Sequence, residues 1–334
     1  MSLSSTYTGS ESLRERLRGI ISNNRMALGA LAFFALLMAV FIIAQPSLFL
    51  QPDIYMSVFV SLPVFVIMTV PLVFVVVAGE IDLSFPSVIG LSAWIFALAI
   101  RGGMPPFVAF IVALPVGALA GLVNGVLVSR LKLSSLVSTL GMNFLIRGLI
   151  NIGTHGNGIS LTTATGTTFA QIMVGRIGRF PIQMIWAVIF TAFGWFMFNK
   201  HTFGLHTRCI GDNRDSSREM GINVDYTKTI AFMFVGLCAA VAGVWSSLIN
   251  QTFYPTTGDG YLLQVLAAVF VGGTPTWGGV GTIVGGFIGA CTIGFIETGV
   301  IASGLTGFYT QFFYGLIIVL SLAGHRFNTG KSKF

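Results

Sequence analysis

Glu80 and Asp82 stand between two apolar runs, in the stretch Val77-Ala78-Gly79-Glu80-Ile81-Asp82-Leu83-Ser84-Phe85-Pro86. Acids in such a setting are costly in hydrocarbon and are functional candidates by default. Two carboxylates one residue apart could bind a cation, carry a proton or line a polar path. Asp82, just before Ser84 and Pro86, also suits a helix cap, and both roles stay open. Glu297 and Arg147 are further ionisable residues inside apolar runs. Arg147 is near one end of its run, where an arginine can also snorkel to water. Gln311 and Asn143 are weaker candidates and fit hydrogen bonds between helices.

Other chemistry has no constellation to rest on. There is no Ser/His/Asp arrangement and no acid pair in a soluble cleft. The three cysteines (Cys209, Cys238, Cys291) and the four histidines are scattered, with no metal spacing and no disulfide framework. Thr329-Gly330-Lys331-Ser332 resembles the end of a phosphate-binding loop, but that motif needs a glycine where His325 stands. If ATP powers this protein, another chain hydrolyses it. The sequence therefore predicts no enzyme, no cofactor and no metal.

The elements that must position these residues are membrane spans. The chain is 54% apolar and 9% charged, with a mean hydropathy of +0.86, against about 25% charged in soluble domains. Ten apolar segments are expected as spans: 26–45, 54–78, 85–100, 105–129, 134–152, 181–199, 229–249, 261–273, 281–300 and 308–324. The run from Met26 is too long for a signal peptide and lacks a small-residue cleavage site, so it is read as a retained span. With the N-terminus inside, fourteen of the 18 Lys/Arg fall on the cytosolic side: Arg14, Arg16, Arg18, Arg25, Arg130, Lys132, Lys200, Arg208, Arg214, Arg218, Lys228, Arg326, Lys331 and Lys333. Arg101, Arg176 and Arg179 fall outside. That asymmetry follows the positive-inside rule and explains the net charge of +7 without nucleic acid. The domains expected are a cytosolic tail at 1–25, partly an amphipathic surface helix, one membrane domain at 26–325, and a cytosolic tail at 326–334. The longest outer segment, 153–180, is rich in Gly, Thr and Ser and is expected to cap the outer mouth.

Two halves are expected, about 26–152 and 181–324, and between the sixth and seventh segments lies 200–228, with five Lys/Arg and four acids. Such a run belongs in water. Its middle, 212–220, is expected to be a short helix between Gly211 and Gly221, a shape another protein can push on. A repeat is also visible. Gly117, Gly121 and Gly125 in the fourth segment match Gly281, Gly285 and Gly289 in the ninth, two faces that allow close backbone approach. Segments five apart run in opposite directions, so the fold class predicted is all-α and polytopic, two inverted five-helix halves. Transporters built so place substrate at broken helices near the midplane. Two breaks are expected, the acidic one above and Val271-Gly272-Gly273-Thr274-Pro275-Thr276-Trp277-Gly278-Gly279.

With these motifs in order, the chain resembles the permease subunits of bacterial ABC importers for monosaccharides, the ribose/xylose/galactose type. Gly79-Glu80-Ile81-Asp82-Leu83-Ser84 is similar to that family's acidic signature. Gly211-Asp212-Asn213 with Met220-Gly221-Ile222 is similar to its cytosolic loop, with Lys228 at a position often basic there. Val271-Gly272-Gly273, Gly278-Gly279 and Gly281 match its glycine-rich block, and Met142 through Arg147-Gly148 its fifth-span Arg-Gly pair. Ser216-Ser217 replaces a usual Ala-Ala. Glu297-Thr298-Gly299 departs from the usual amides and leaves the sugar's identity open. The resemblance implies a passive path in the bacterial inner membrane, with both termini cytosolic. It implies a second permease subunit, cytosolic ATP-binding subunits, a periplasmic sugar-binding protein and a sugar substrate within a lipid bilayer. Coupling to the ATP-binding subunit would fall to Gly211, Asn213, Glu219, Met220, Gly221 and Ile222. The pathway would fall to Glu80, Asp82, Ser84, Arg147, Glu297 and Gln311. The alternatives are a nucleoside importer of the same superfamily, and a lone ion-coupled carrier using Glu80, Asp82 and Glu297.

Overall fold

Apolar runs in lipid satisfy their backbone groups as helices, and helices are what form. The computed structural model describes residues 25–328. The expected surface helix before Arg25 and the run 329–332 lie outside them. Among the described residues there are fifteen helices and four two-residue strands. The ten apolar segments carry α1 (Arg25–Ala44), α3 (Pro52–Val77), α4 (Phe85–Arg101), α5 (Pro106–Ser129), α6 (Ser135–Thr154), α9 (Ile182–Asn199), α12 (Val224–Ile249), α13 (Tyr261–Val271), α14 (Ile283–Ala302) and α15 (Gly307–Asn328). Eight of these are long and apolar enough to cross a membrane; α4 and α13, with 17 and 11 residues, are shorter. Each of the two short ones borders an interruption. The chain is a nearly all-helical, polytopic membrane protein.

The short elements are α2 (Pro46–Phe49), α7 (Thr162–Thr165), α8 (Thr168–Val174), α10 (Thr202–Asp212) and α11 (Arg214–Glu219), with strands β1 (Ile159–Ser160), β2 (Arg176–Ile177), β3 (Phe180–Pro181) and β4 (Thr252–Phe253). β2 and β3 form a hairpin. β1 pairs antiparallel with β4, Ile159 opposite Phe253, which ties the 153–180 segment to the linker after α12.

α3 is apolar on every side, as a helix in the middle of a bundle must be, and nearly its whole length from Leu62 to Val77 is buried. Pro63 and Pro71 sit inside it, where each removes a backbone donor. α9, α12, α13 and α14 pack around it. α5 packs on α12 and on α4; α13 packs on α14 and on α15; α4 packs on α6. By contrast α1, α6 and α15 keep most of their apolar side chains exposed and form the rim.

The two glycine stripes share a spacing but not a partner. A Cβ on Gly117, Gly121 or Gly125 would overlap the α12 backbone at Gly236, Phe232 and Thr229. Gly285 and Gly289 instead meet the backbone of Gly272 and Ala268, at the end of α13, and Gly281 precedes α14 altogether. α14 turns other small residues to α3: Gly286 faces Thr69 and Val73, and Gly294 faces Leu62. Small residues let helices close up, and α14 does so on two sides.

Candidate functional site

α3 ends at Val77, and Gly79 turns the chain with a φ of +80°, a region that favours glycine. The backbone then runs extended along α6. Ile81 N–H donates to Ser135 Oγ (3.3 Å) and Leu83 N–H to Thr139 Oγ1 (3.0 Å), so side chains of α6 replace the helical partners lost at the break. Asp82 is buried. Its Oδ1 accepts from Ser84 N–H (2.7 Å) and from Ser84 Oγ (2.6 Å), which in turn accepts from Asn124 Nδ2 of α5 (2.5 Å). This braces Ser84, the residue at the N-cap position of α4, from two residues ahead of it; the helix start itself has no side-chain cap, and Ser84, expected beside Asp82, is its direct partner.

Glu80 goes elsewhere. Its Oε1 is ion-paired with Lys228 Nζ, and the two side chains are only 16% and 5% exposed. Lys228 lies in α12, which begins at Val224, five residues before the expected span at 229. The 200–228 segment is correspondingly more ordered than a loop with one short helix. α10 occupies its first part and puts Gly211 inside a helix. Asn213 then caps α11, its Oδ1 accepting from the N–H groups of Asp215 and Ser216 (both 3.0 Å), so the expected helix at 212–220 is found at Arg214–Glu219. Gly221 has a φ of +80° and donates to Arg218 O, and Ile222 N–H reaches Ser217 O (3.0 Å), closing the turn. Glu219 and Met220 are left exposed at its tip, Met220 at 65%. Asp225 meets Arg218 at 3.3 Å and Arg214 at 3.8 Å, which ties α11 to α12.

Three segments cross at one place. Gly279 N–H donates to Val77 O (2.8 Å), joining the second break to the end of α3. A Cβ on Gly211 would overlap both Val77 O and Gly279 N. A Cβ on Gly278 would press on Gly79 at 2.9 Å. Gly278 and Gly279 both have positive φ. The charged segment and both breaks thus touch through glycine backbones.

Arg147 does not snorkel. Its guanidinium donates to the carbonyls of Pro255 (2.5 Å), Thr257 (3.2 Å) and Pro86 (3.3 Å) and meets Asp259 Oδ1 at 2.6 Å. Pro86 lies in the first turn of α4; the others belong to 250–260, the linker from α12 to α13. That linker carries Gln251 at φ +54° and Gly258 at φ +98°, the latter against Pro86 O. It is a third interruption, and the reading by sequence passed over it. Pro255-Thr256-Thr257-Gly258-Asp259-Gly260 was the available signal.

The remaining expected residues do not join this cluster. Glu297 of α14 accepts from Gln264 Nε2 of α13 (3.2 Å), with Tyr314 of α15 alongside. Gln311 is exposed on α15. Asn143 is half-buried on α6. Among the described residues no three His, Cys, Asp or Glu side chains group as metal ligands.

Residues 54–322 match the family described as branched-chain amino acid transport system / permease component. The chain is 32% identical to the ribose import permease protein RbsC of Escherichia coli (strain K12), over 77% of this chain and 80% of that one. It is 32% identical to the protein of the same name in Bacillus subtilis (strain 168), over 88% and 91%. To the autoinducer 2 import system permease protein LsrC of Yersinia pestis (strain Pestoides F) it is 31% identical, over 90% and 84%. No solved structure matches it.

Proposed function

Because the chain belongs to the permease-component family of the branched-chain amino acid transport system, we propose that it is the membrane subunit of an ATP-driven importer. In this reading it forms the path for a monosaccharide handed over by a periplasmic binding protein. ATP hydrolysis is assigned to separate cytosolic subunits. Two permease copies, identical or related, sit in the bacterial inner membrane with termini and the 200–228 segment in the cytosol.

The observation that carries the reading is the crossing of Gly211, Val77 and Gly279. The water-seeking segment, where a motor could grip, rests directly on both breaks. Asn213, Glu219, Met220, Gly221 and Ile222 build the exposed turn that would dock. An ion-coupled carrier would need a carboxylate able to take up and release the ion. Glu80 is held by Lys228, Asp82 by Ser84 and Glu297 by Gln264.

We also read the ten helices as two inverted halves. Supporting this, the pairing of the seventh helix with the fourth (α12 on α5) is answered by the second with the ninth (α3 on α14). The pairings of third with fourth and fifth are likewise answered by eighth with ninth and tenth. The first helix of each half departs from it, α1 packing on α14 and α9 on α3.

The test is uptake by the chain assembled with its ATP-binding subunit and a series of candidate binding proteins, each loaded with a different sugar. Accumulation of ribose or another monosaccharide with one of them supports the proposal. Uptake of branched-chain amino acids and of no sugar would overturn the substrate class.

A further inference from the structure

We propose that Glu80 is a positioning residue for coupling, and that its ion pair with Lys228 is the link through which movement of the 200–228 segment reaches the first break. This rests on the permease reading above and assigns Glu80 a task other than facing substrate. The chain path argues for it. Lys228 stands near the start of α12, at the end of the charged segment, and Glu80 stands one residue past Gly79, where α3 has stopped and the extended run begins. Three residues before Glu80, Val77 O holds Gly279 N–H and lies against Gly211. The segment therefore touches the break twice, by a tight backbone crossing and by a buried charge pair.

The two contacts differ in what they transmit. At the crossing, backbone rests on backbone with no room for a Cβ, so a push on α10 displaces Val77 and Gly279 together. Contact alone can push and cannot pull. The ion pair can do both. Its charges are largely removed from water, so separating them leaves each uncompensated, and α12's first turns and the break must move as one. The break in turn has soft attachments on its other side, hydroxyl groups of Ser135 and Thr139 that can re-form elsewhere. Motion entering at Glu80 would thus shift Ile81 to Leu83 along α6.

The test uses the permease assembled with its ATP-binding subunit, with Cys209, Cys238 and Cys291 replaced and a single cysteine placed at Leu83. The rate of its modification by a maleimide is read with and without ATP plus vanadate, so no sugar is needed. Energetic coupling between sites typically amounts to about 5- to 150-fold, and an ATP-dependent change of roughly that size is expected in the parent protein. Glu80→Gln and Lys228→Gln should each abolish the change while the ATP-binding subunit stays bound and hydrolyses ATP. The exchange Glu80→Lys with Lys228→Glu should restore it. A purely structural pair would lower protein yield without separating hydrolysis from the change at Leu83. A full ATP response in Glu80→Gln would overturn the proposal, as would an assembled exchange variant that stays as silent as the single changes. No ATP response in the parent protein would count against the permease reading itself.

Discussion

The break between α3 and α4 is held at both ends, and by different chemistry. At Glu80 the partner is a side chain, Lys228, beside a crossing of glycine backbones. At Pro86 the partner is Arg147, and apart from Asp259 what Arg147 holds is backbone: the carbonyls of Pro86, Pro255 and Thr257. The first joint depends on two opposite charges, so an exchange of the two should preserve it. The second depends on the shape of two chain turns around a fork of fixed N–H directions, which lysine's single ammonium cannot reproduce. One joint belongs to the charged segment and so to whatever moves it. The other binds the break to 250–260, with no such segment attached.

The largest effect should come from breaking the second joint. Arg147→Ala leaves three carbonyls without their donor and should cost about 3 kcal/mol or more in stability, read as a lower melting temperature in detergent. Arg147→Lys should recover little of it. Asp259 is half exposed, and Asp259→Asn should lower stability only slightly, by less than about 1 kcal/mol.

The crossing ranks next. Gly211→Ala forces the α10 backbone off Val77 and Gly279 and should cost about 1–3 kcal/mol. Transport should be lost while pull-down of the ATP-binding subunit persists. Gly221→Val or Glu219→Lys, at the exposed turn, should show the reverse pattern: an inserted protein that no longer pulls the subunit down. If both sets lose pull-down alike, joint and docking turn are one unit and the distinction fails.

Asp82→Ala leaves the buried Ser84 N–H and hydroxyl without their acceptor and should cost about 1–3 kcal/mol. Uptake falling much further than protein level would add a pathway role to this brace; uptake tracking protein level would leave its role structural only. Asp225→Asn should also have a small effect. Its pairs with Arg214 and Arg218 are partly exposed, and each is worth about 0.2–1 kcal/mol. Salt should mask that loss.

Much of this arrangement could be read from the residues. Ten apolar segments became helices because hydrocarbon leaves the backbone no other choice, and Gly79 and Gly221 marked turns because both adopt positive φ. A cap and a pathway role were both open for Asp82; its bonds go to Ser84, which itself holds the N-cap position. Partners across space were not. Nothing near Glu80 in sequence announces Lys228, 148 positions away. The stripe at Gly281 to Gly289 has the same spacing as that at Gly117 to Gly125, but spacing says nothing of which neighbour a face will meet. Snorkelling and a pathway role were both open for Arg147, because its carbonyl partners in 250–260 lie more than 100 positions away and no local pattern announces them. α10 was missed because its charged and aromatic residues have no long apolar stripe.

On the proposed function, work enters through the 200–228 segment and not through an ion bound in the membrane. The direct measurement is sugar accumulation in liposomes, first with the chain alone under an imposed proton or sodium gradient, then with the ATP-binding subunit and binding protein and no gradient. The chain alone should accumulate nothing, and the assembled system should accumulate sugar when ATP is added. Concentrative uptake by the lone chain under an ion gradient would contradict the claim, and Glu80, Asp82 and Glu297 would become the candidates for the ion site.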